Sequence, residues 1–318
     1  MHLGWRIFLL GTSLAALGHS ESGITARVLV TDGETAISGP PILSMPRWSG
    51  SRLVGCDECQ SHAPILWAVD RQGRREETVL QIPESGYVTV WDVASGQDGA
   101  VAAVGYAISN DSRLADFIVW ISPDRGQQVI MRVWPFCPYA VAVAPDGTVW
   151  AAGPVKHEDS KVDFHANVVR HYSPLGQLLA TTTVRGVRRF NGLAAVANGS
   201  TLMVSKDRVG WLTHACDYIE FSFDGTEVGR YACPATLADG QFVGGVGLSL
   251  SNDLVIGGSR SGPLSPLMLD RLTHNWVPVP APADIKNAHG ILGFDGLTLV
   301  TYPEPGKLGR LKWAEAAH

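Results

Sequence analysis

A motif returns about every fifty residues along this chain, and a recurrence of that length restricts the available folds more than any other feature. In its clearest copy the run Ala140-Val141-Ala142-Val143-Ala144 reaches the turn at Asp146-Gly147, and the run Thr148-Val149-Trp150-Ala151-Ala152 follows. Asn191 through Val204 repeats the pattern around Asn198-Gly199. Aligned on this first turn, the copies fall at Ser49-Gly50, Asp98-Gly99, Asp146-Gly147, Asn198-Gly199, Ser251-Asn252 and Asp295-Gly296, at spacings of 49, 48, 52, 53 and 44 residues. Glycine and asparagine supply the positive φ that tight hairpins require, so the recurrence has a backbone cause. A second turn recurs in step with it, at Asp70-Arg71-Gln72-Gly73, Ser173-Pro174-Leu175-Gly176 and Ser222-Phe223-Asp224-Gly225, with Ser122 to Gly126 one residue longer. Asp or Ser first and Gly fourth is the preference of a type I turn.

Two turns per copy, separated by short apolar runs, imply four antiparallel strands per unit. In the second unit these are expected over Val88 to Ala94, Ala100 to Ala107, Asp116 to Ser122 and Gln128 to Trp134. Six such units in radial repetition make an all-β, six-bladed β-propeller. The expected blades cover 42–86, 87–136, 137–186, 187–236, 242–284 and 285–318. The last unit runs out after its third strand, Leu308 to Trp313, while Ala26 to Val30 has the character of the fourth strands elsewhere. The N-terminal strand, within 24–33, is therefore expected to complete the last blade and leave no open seam.

Composition bounds the function classes. Charged residues make up 17% of the 318, below the roughly 25% of an average domain. A formal charge of −5, without a basic cluster interleaved with aromatics, argues against a nucleic-acid partner. Arg6, the apolar run Ile7 to Leu17 and the small residues of Ala16-Leu17-Gly18 together read as a signal peptide over 1–20, cleaved near 18–20. The run is too short for a membrane span. The expected location is extracytoplasmic, secreted or periplasmic, for a monomer of one domain over 24–318.

Five cysteines would then meet an oxidising compartment. Cys56 and Cys59 form a Cys-x-x-Cys with no second pair to complete a zinc site, and a local structural link is the reading taken. Cys216 and Cys233 flank the Asp224-Gly225 turn. A two-residue turn sets them opposite one another and allows a bridge, whereas a three-residue turn with a bulge moves the register by one and misaligns them. Cys137 is read as a buried thiol acting as a small apolar residue.

The blade motif resembles that of the broad group of NHL, TolB-like and gluconolactonase-like six-bladed propellers, over essentially the whole mature region. Phe190-Asn191-Gly192-Leu193 is similar to the Asn-Gly segment that, in gluconolactonase-like enzymes, helps hold a divalent metal ion beside a glutamate and an aspartate. That resemblance implies a role for Asn191 only. The segment expected to carry the glutamate reads Ser38-Gly39-Pro40, and the strand expected to carry the aspartate, Gly244 to Leu250, has no carboxylate.

Chain direction puts the connections between strands 2 and 3, and from strand 4 to the next strand 1, on one face. A ligand is expected there, because loops on a rigid scaffold carry function. Tyr87, Cys137, Tyr139, Arg189, Asn191 and His289 lie on its inner connections, and His62, Trp211 and His214 on its outer ones. The ligand-binding candidates are Arg189, Asn191, Trp211, His214 and His289. Trp211, placed in a loop beside polar residues, would suit stacking against a sugar or planar ligand. His157, Asp163 and His165 are the candidate metal donors, although their spacing matches no metal motif and a solvated loop is the plainer reading. The expected function is a binding or interaction module for a small molecule, glycan or protein, with no cofactor. The alternative is a metal-dependent, lactonase-like hydrolase with an incomplete donor set.

Overall fold

The computed structural model describes residues 27–38, 46–157, 162–187, 200–234, 245–257, 265–282, 290–304 and 306–315. Among the described residues β1 (Arg27–Ala36) comes first, and blade 1 follows as β2 (Arg47–Ser49), β3 (Arg52–Asp57), β5 (Ile65–Val69) and β6 (Arg75–Val79), interrupted by the short β4 (Gln60–Ser61). Blade 2 is β7 (Ser85–Ser95), β8 (Val101–Ser109), β9 (Leu114–Ile121) and β10 (Gln128–Arg132). Blade 3 is β11 (Ala140–Val143), β12 (Val149–Lys156), β13 (Val162–Tyr172) and β14 (Leu178–Val184). Blade 4 is β15 (Thr201–Val204), β16 (Arg208–Leu212), β17 (Tyr218–Ser222) and β18 (Glu227–Tyr231). Blade 5 is β19 (Gly245–Leu248), β20 (Leu254–Gly257), β21 (Leu267–Asp270) and β22 (Asn275–Pro278). Blade 6 supplies β23 (Ile291–Asp295), β24 (Thr298–Glu304) and β25 (Lys307–Glu315), and β1 pairs antiparallel with β25 as its fourth strand, Val28 facing Ala314 and Thr31 facing Leu311. The expected closure by the N-terminal strand is thus present.

Backbone conformation explains most of the repeat. Gly50, Gly99, Gly147, Asn252 and Gly296 all take positive φ, at 60°, 90°, 81°, 69° and 64°, between the first two strands of their blades. Blade 4 corrects the sequence reading. Its first two strands are joined at Ser205–Arg208, where the Ser205 N–H bonds the Arg208 carbonyl, and Asn198-Gly199 precedes the blade's inner strand, outside the described residues. A hairpin without glycine is invisible to a search keyed on Asn-Gly, which is the strongest hairpin dipeptide.

Each blade boundary holds an apolar cluster. Leu66 and Leu80 of blade 1 pack against Val90 and Phe117 of blade 2, and the series continues around the ring until Leu292 and Leu308 of blade 6 meet Leu53 and Trp67 of blade 1. Burial between blades, not within them, is what holds a ring of two-faced sheets together. Around the axis the inner strands approach too closely for side chains at some positions. A Cβ on Gly245 (φ 152°) would lie 1.7 Å from the Ile291 carbonyl oxygen, which explains the glycine-rich inner strand of blade 5.

The hairpin carrying two of the cysteines resolves the register question in an unexpected way. Its turn is the three-residue kind, with the Ser222 N–H on the Thr226 carbonyl and Gly225 at φ 88°. A bulge then intervenes, because Phe221 faces Glu227 but Glu220 faces Gly229. The second irregularity cancels the first, Tyr218 faces Tyr231, and Cys216 and Cys233 are bridged with Cα atoms 5.0 Å apart. The link expected between Cys56 and Cys59 is not formed. Both are free thiols, and the Cys59 sulfur lies 2.8 Å from the Cys56 carbonyl oxygen instead. Cys137 is free and buried.

Candidate ligand site at the channel mouth

The axis is stopped by one side chain. Arg47, the first residue of β2, donates from Nε to the Val93 carbonyl (2.9 Å), from Nη1 to the Leu202 carbonyl (2.7 Å), and from Nη2 to the Val141 carbonyl (2.5 Å) and Asp92 Oδ2 (3.1 Å). A single guanidinium so joins the inner strands of blades 1 to 4, a task suited to its fixed fork of five N–H donors. Asp92 also accepts the backbone N–H groups of Val141 (2.8 Å) and Val93 (2.9 Å). Burial pushes its carboxyl up to about 6, against the opposing pull of Arg47 and these two amides. Burial likewise lowers Arg47 from its usual value.

Toward the face of the 2–3 and 4–1 connections, the channel opens onto aromatic rings. The pairing of β7 with β8 shifts between Val90 and Asp92, so Trp91 is the extra residue of a bulge. A bulge re-aims neighbouring side chains. Asp92 consequently meets Arg47 while the Trp91 ring stands 46% exposed. Trp91 lies 5.7 Å from Tyr106 on β8 and 6.1 Å, nearly perpendicular, from Tyr139 at the entry to β11. Tyr139 in turn lies 5.7 Å from His214, in the turn joining β16 to β17, with the rings at 80°. Blades 2, 3 and 4 all contribute to this run of rings.

Titratable groups around Tyr139 are held in uncharged or compensated states. Burial lowers the His214 imidazole, leaving it neutral at neutral pH. Burial, Cys137 and Asp116 raise the Tyr139 phenol, and burial with the nearby Asp116 pushes the Cys137 thiol up to about 12. Lys156 Nζ donates to Asp116 Oδ2 in a pair whose side chains are 7% and 1% exposed. General acid–base work needs a group that titrates near the working pH, and His214, Tyr139 and Cys137 are all moved away from it. A nucleophilic cysteine needs its pKa depressed, the reverse of what Cys137 has.

Among the residues singled out from sequence, His214 and Tyr139 meet here. Trp211 does not. It lies within β16, 3% exposed in the cluster between blades 3 and 4, with its indole N–H on Ser200 Oγ. The loop placement followed from the misplaced first turn of blade 4. Arg189, Asn191 and His289 lie outside the described residues, as does the signal segment. His157 and Asp163 face each other across the β12–β13 hairpin, Nε2 to Oδ2 3.5 Å, while only the backbone of His165 is described. Among the described residues no three His, Cys, Asp or Glu side chains are grouped to hold a metal ion. The two donors present are paired with one another and do not by themselves fit a catalytic divalent ion, which needs several strong ligands and an open position.

Arg47, Asp92, Trp91 and Tyr106 were missed from sequence. A signal exists for the bulge, since the valines of β7 change phase from Val88 and Val90 to Val93. Two hollows lie elsewhere. Below Arg47, beside Ser49 and Gly247, the channel holds a cavity of about 50 Å³. A cleft of about 290 Å³ on the outer rim of blade 2 is edged by Glu84 and Arg132, 3.6 Å apart.

No family model matches the chain, and no curated protein matches it. Solved structures similar to it include the Dos1 propeller (11% identity, TM-score 0.46, covering 82% of this chain and 64% of that one). Others are HIRA(644-1017) (12%, 0.38, 59% and 54%) and apo AztD from Citrobacter koseri (11%, 0.35, 59% and 46%). This chain thus spans less than two thirds of each of those chains.

Proposed function

We propose that this propeller is an exported binding module that recognises a neutral ring-shaped ligand, a sugar ring of a glycan, at the mouth lined by Trp91, Tyr106, Tyr139 and His214. The run of aromatic rings across three blades, above a channel stopped by Arg47, carries the reading. A half-exposed indole meeting a phenol at a near right angle forms a corner that fits the apolar face of a pyranose, while the phenols and a neutral imidazole offer hydrogen bonds to its hydroxyls. Among the described residues of the mouth, Lys156 and Asp116 cancel and burial keeps His214, Tyr139 and Cys137 neutral, which favours a neutral ligand over an ion. Export is supported by the N-terminal segment and by the Cys216–Cys233 bridge, of a kind that persists in oxidising compartments. Saturation-transfer NMR with a panel of neutral and charged oligosaccharides tests the function. Binding of a neutral member, weakened roughly tenfold or more by Trp91→Ala in a folded protein, is the expected outcome. Failure of every sugar to bind, or binding indifferent to Trp91 and Tyr139, overturns it.

A further inference from the structure

The segment between β3 and β5 leaves blade 1 and leans on blade 2. Cys56 is held in β3, where it faces Leu66 of β5. Three residues on, the Cys59 carbonyl accepts the Val90 N–H (2.8 Å), and Gln60 and Ser61 pair as β4 with Thr89 and Val88 of β7. Glu58, at φ 49°, turns the chain between the two cysteines, a conformation that a residue with a side chain adopts when its surroundings impose it. The thiols therefore meet with the backbone fixed on both sides. Cys56 is buried in the apolar cluster of Leu66, Val88 and Val90, whereas Cys59 is half-buried against that cluster, between the exposed Glu58 and Gln60. As a thiol, Cys59 has the Cys56 carbonyl oxygen 2.8 Å away to donate to. As a thiolate it accepts from the Cys56 thiol, which holds Cys59 below the usual thiol range, and that same bond together with burial holds Cys56 well above it. One sulfur is thus open and prepared to ionise, and the other is enclosed and keeps its proton.

We infer that Cys56 and Cys59 form a thiol–disulfide exchange site for a small-molecule disulfide, with Cys59 as the attacking sulfur and Cys56 as the resolving one. The nucleophile in such exchange is the thiolate, and the partly exposed sulfur is the one placed to supply it. The Cys59 thiolate attacks one sulfur of the substrate R–S–S–R. A bond forms between the two sulfurs, the substrate's S–S bond breaks, and the departing thiolate takes a proton from solvent. The Cys56 thiol then gives its proton to solvent and attacks the Cys59 sulfur of the mixed disulfide, expelling the second thiolate, which is protonated in turn. Two electrons pass from the dithiol to the substrate, which leaves as two thiols, and Cys56 and Cys59 are left joined. The size of the substrate follows from access. A sulfur half-buried beside β4 admits a small disulfide and excludes one carried on the surface of a folded protein. Asp57 is paired with Arg75 Nη2 (2.5 Å), while Glu58 stands exposed next to Cys59, so a cationic disulfide is the better matched probe.

Cystamine, a small cationic disulfide, added to the full chain near neutral pH provides the test, read by intact mass and peptide mapping. The native protein is expected to lose two hydrogens at the peptide carrying Cys56 and Cys59 and to release two cysteamines per chain. Cys56→Ser, which keeps a hydrogen-bond donor beside Cys59, should stop at the mixed disulfide on Cys59. Cys59→Ser should react at least about tenfold more slowly than the native chain. Cys56→Ala, which lacks the donor, should still be trapped at Cys59, with the pH midpoint of its rate displaced upward from that of Cys56→Ser. A native urea transition identifies the variants that are folded. Reaction at the buried Cys137 in place of Cys59, a folded Cys56→Ser variant that gains no adduct, or a native chain that stops at the mixed disulfide overturns the inference.

Discussion

Replacing Arg47 by methionine removes the side chain that ties four blades together, and its cost can be worked from the contacts. Arg47 and Asp92 form a buried pair, with side chains 10% and 13% exposed. Breaking such a pair by deleting one partner costs about 3–5 kcal/mol, because the other charge is left without compensation. The three carbonyls that lose a donor add less, since the neighbouring cavity beside Ser49 and Gly247 can admit water to them. A total of about 4 kcal/mol is expected for Arg47→Met. Equilibrium unfolding in urea, with the slope unchanged and the midpoint lowered, measures it. A double-mutant cycle with Asp92→Asn should return a coupling of about 2 kcal/mol, since the two residues touch. The pH dependence gives a further check. Without Arg47 the Asp92 carboxyl rises above its native value of about 6 and takes up a proton, so the destabilisation should be larger at about pH 8 than at about pH 5. A loss under about 1 kcal/mol, or strict additivity with Asp92→Asn, would refute the view that this guanidinium holds the inner strands together.

Asp92 makes a prediction of its own in the unmodified protein. A carboxyl raised to about 6 binds its proton more tightly in the folded state, so its contribution to stability is full below about pH 4 and is lost as pH rises through 6, a component that Asp92→Asn should abolish in unfolding curves across that range. Reduction of the Cys216–Cys233 bridge, which spans 17 residues of sequence, should cost about 3 kcal/mol, read from the urea midpoint with and without reductant. Leu29→Ala, in the closing strand and 3% exposed, should cost about 2–4 kcal/mol, and a value near zero would mean that β1 does not complete blade 6.

Much of the fold was legible because turns obey backbone rules that residue identity reveals. Gly50, Gly99, Gly147, Asn252 and Gly296 mark first turns in sequence and take positive φ in space. Lys206-Asp207 turns the chain without either signal, and that one omission displaced the reading of blade 4 and moved Trp211 from core to loop. The bridge between Cys216 and Cys233 was undecidable for a related reason. Two register changes cancel there, and the second arises at Val228, which carries no turn chemistry. The site was harder still to read. His214 and Tyr139 could be placed on the correct face from chain direction, but the meeting of Arg47 with Asp92 joins residues 45 positions apart through a bulge in β7. Such meetings depend on how inner strands slide along the axis, and repeat spacing does not encode that.

The binding account is tested most directly by a crystal structure of the protein with a neutral oligosaccharide bound in solution. It predicts a pyranose lying flat on the Trp91 indole, edged by Tyr139 and within hydrogen-bond reach of His214. A sugar found instead at the opposite end of the channel, beside Ser49 and Gln97, or on the rim near Arg132, would contradict it.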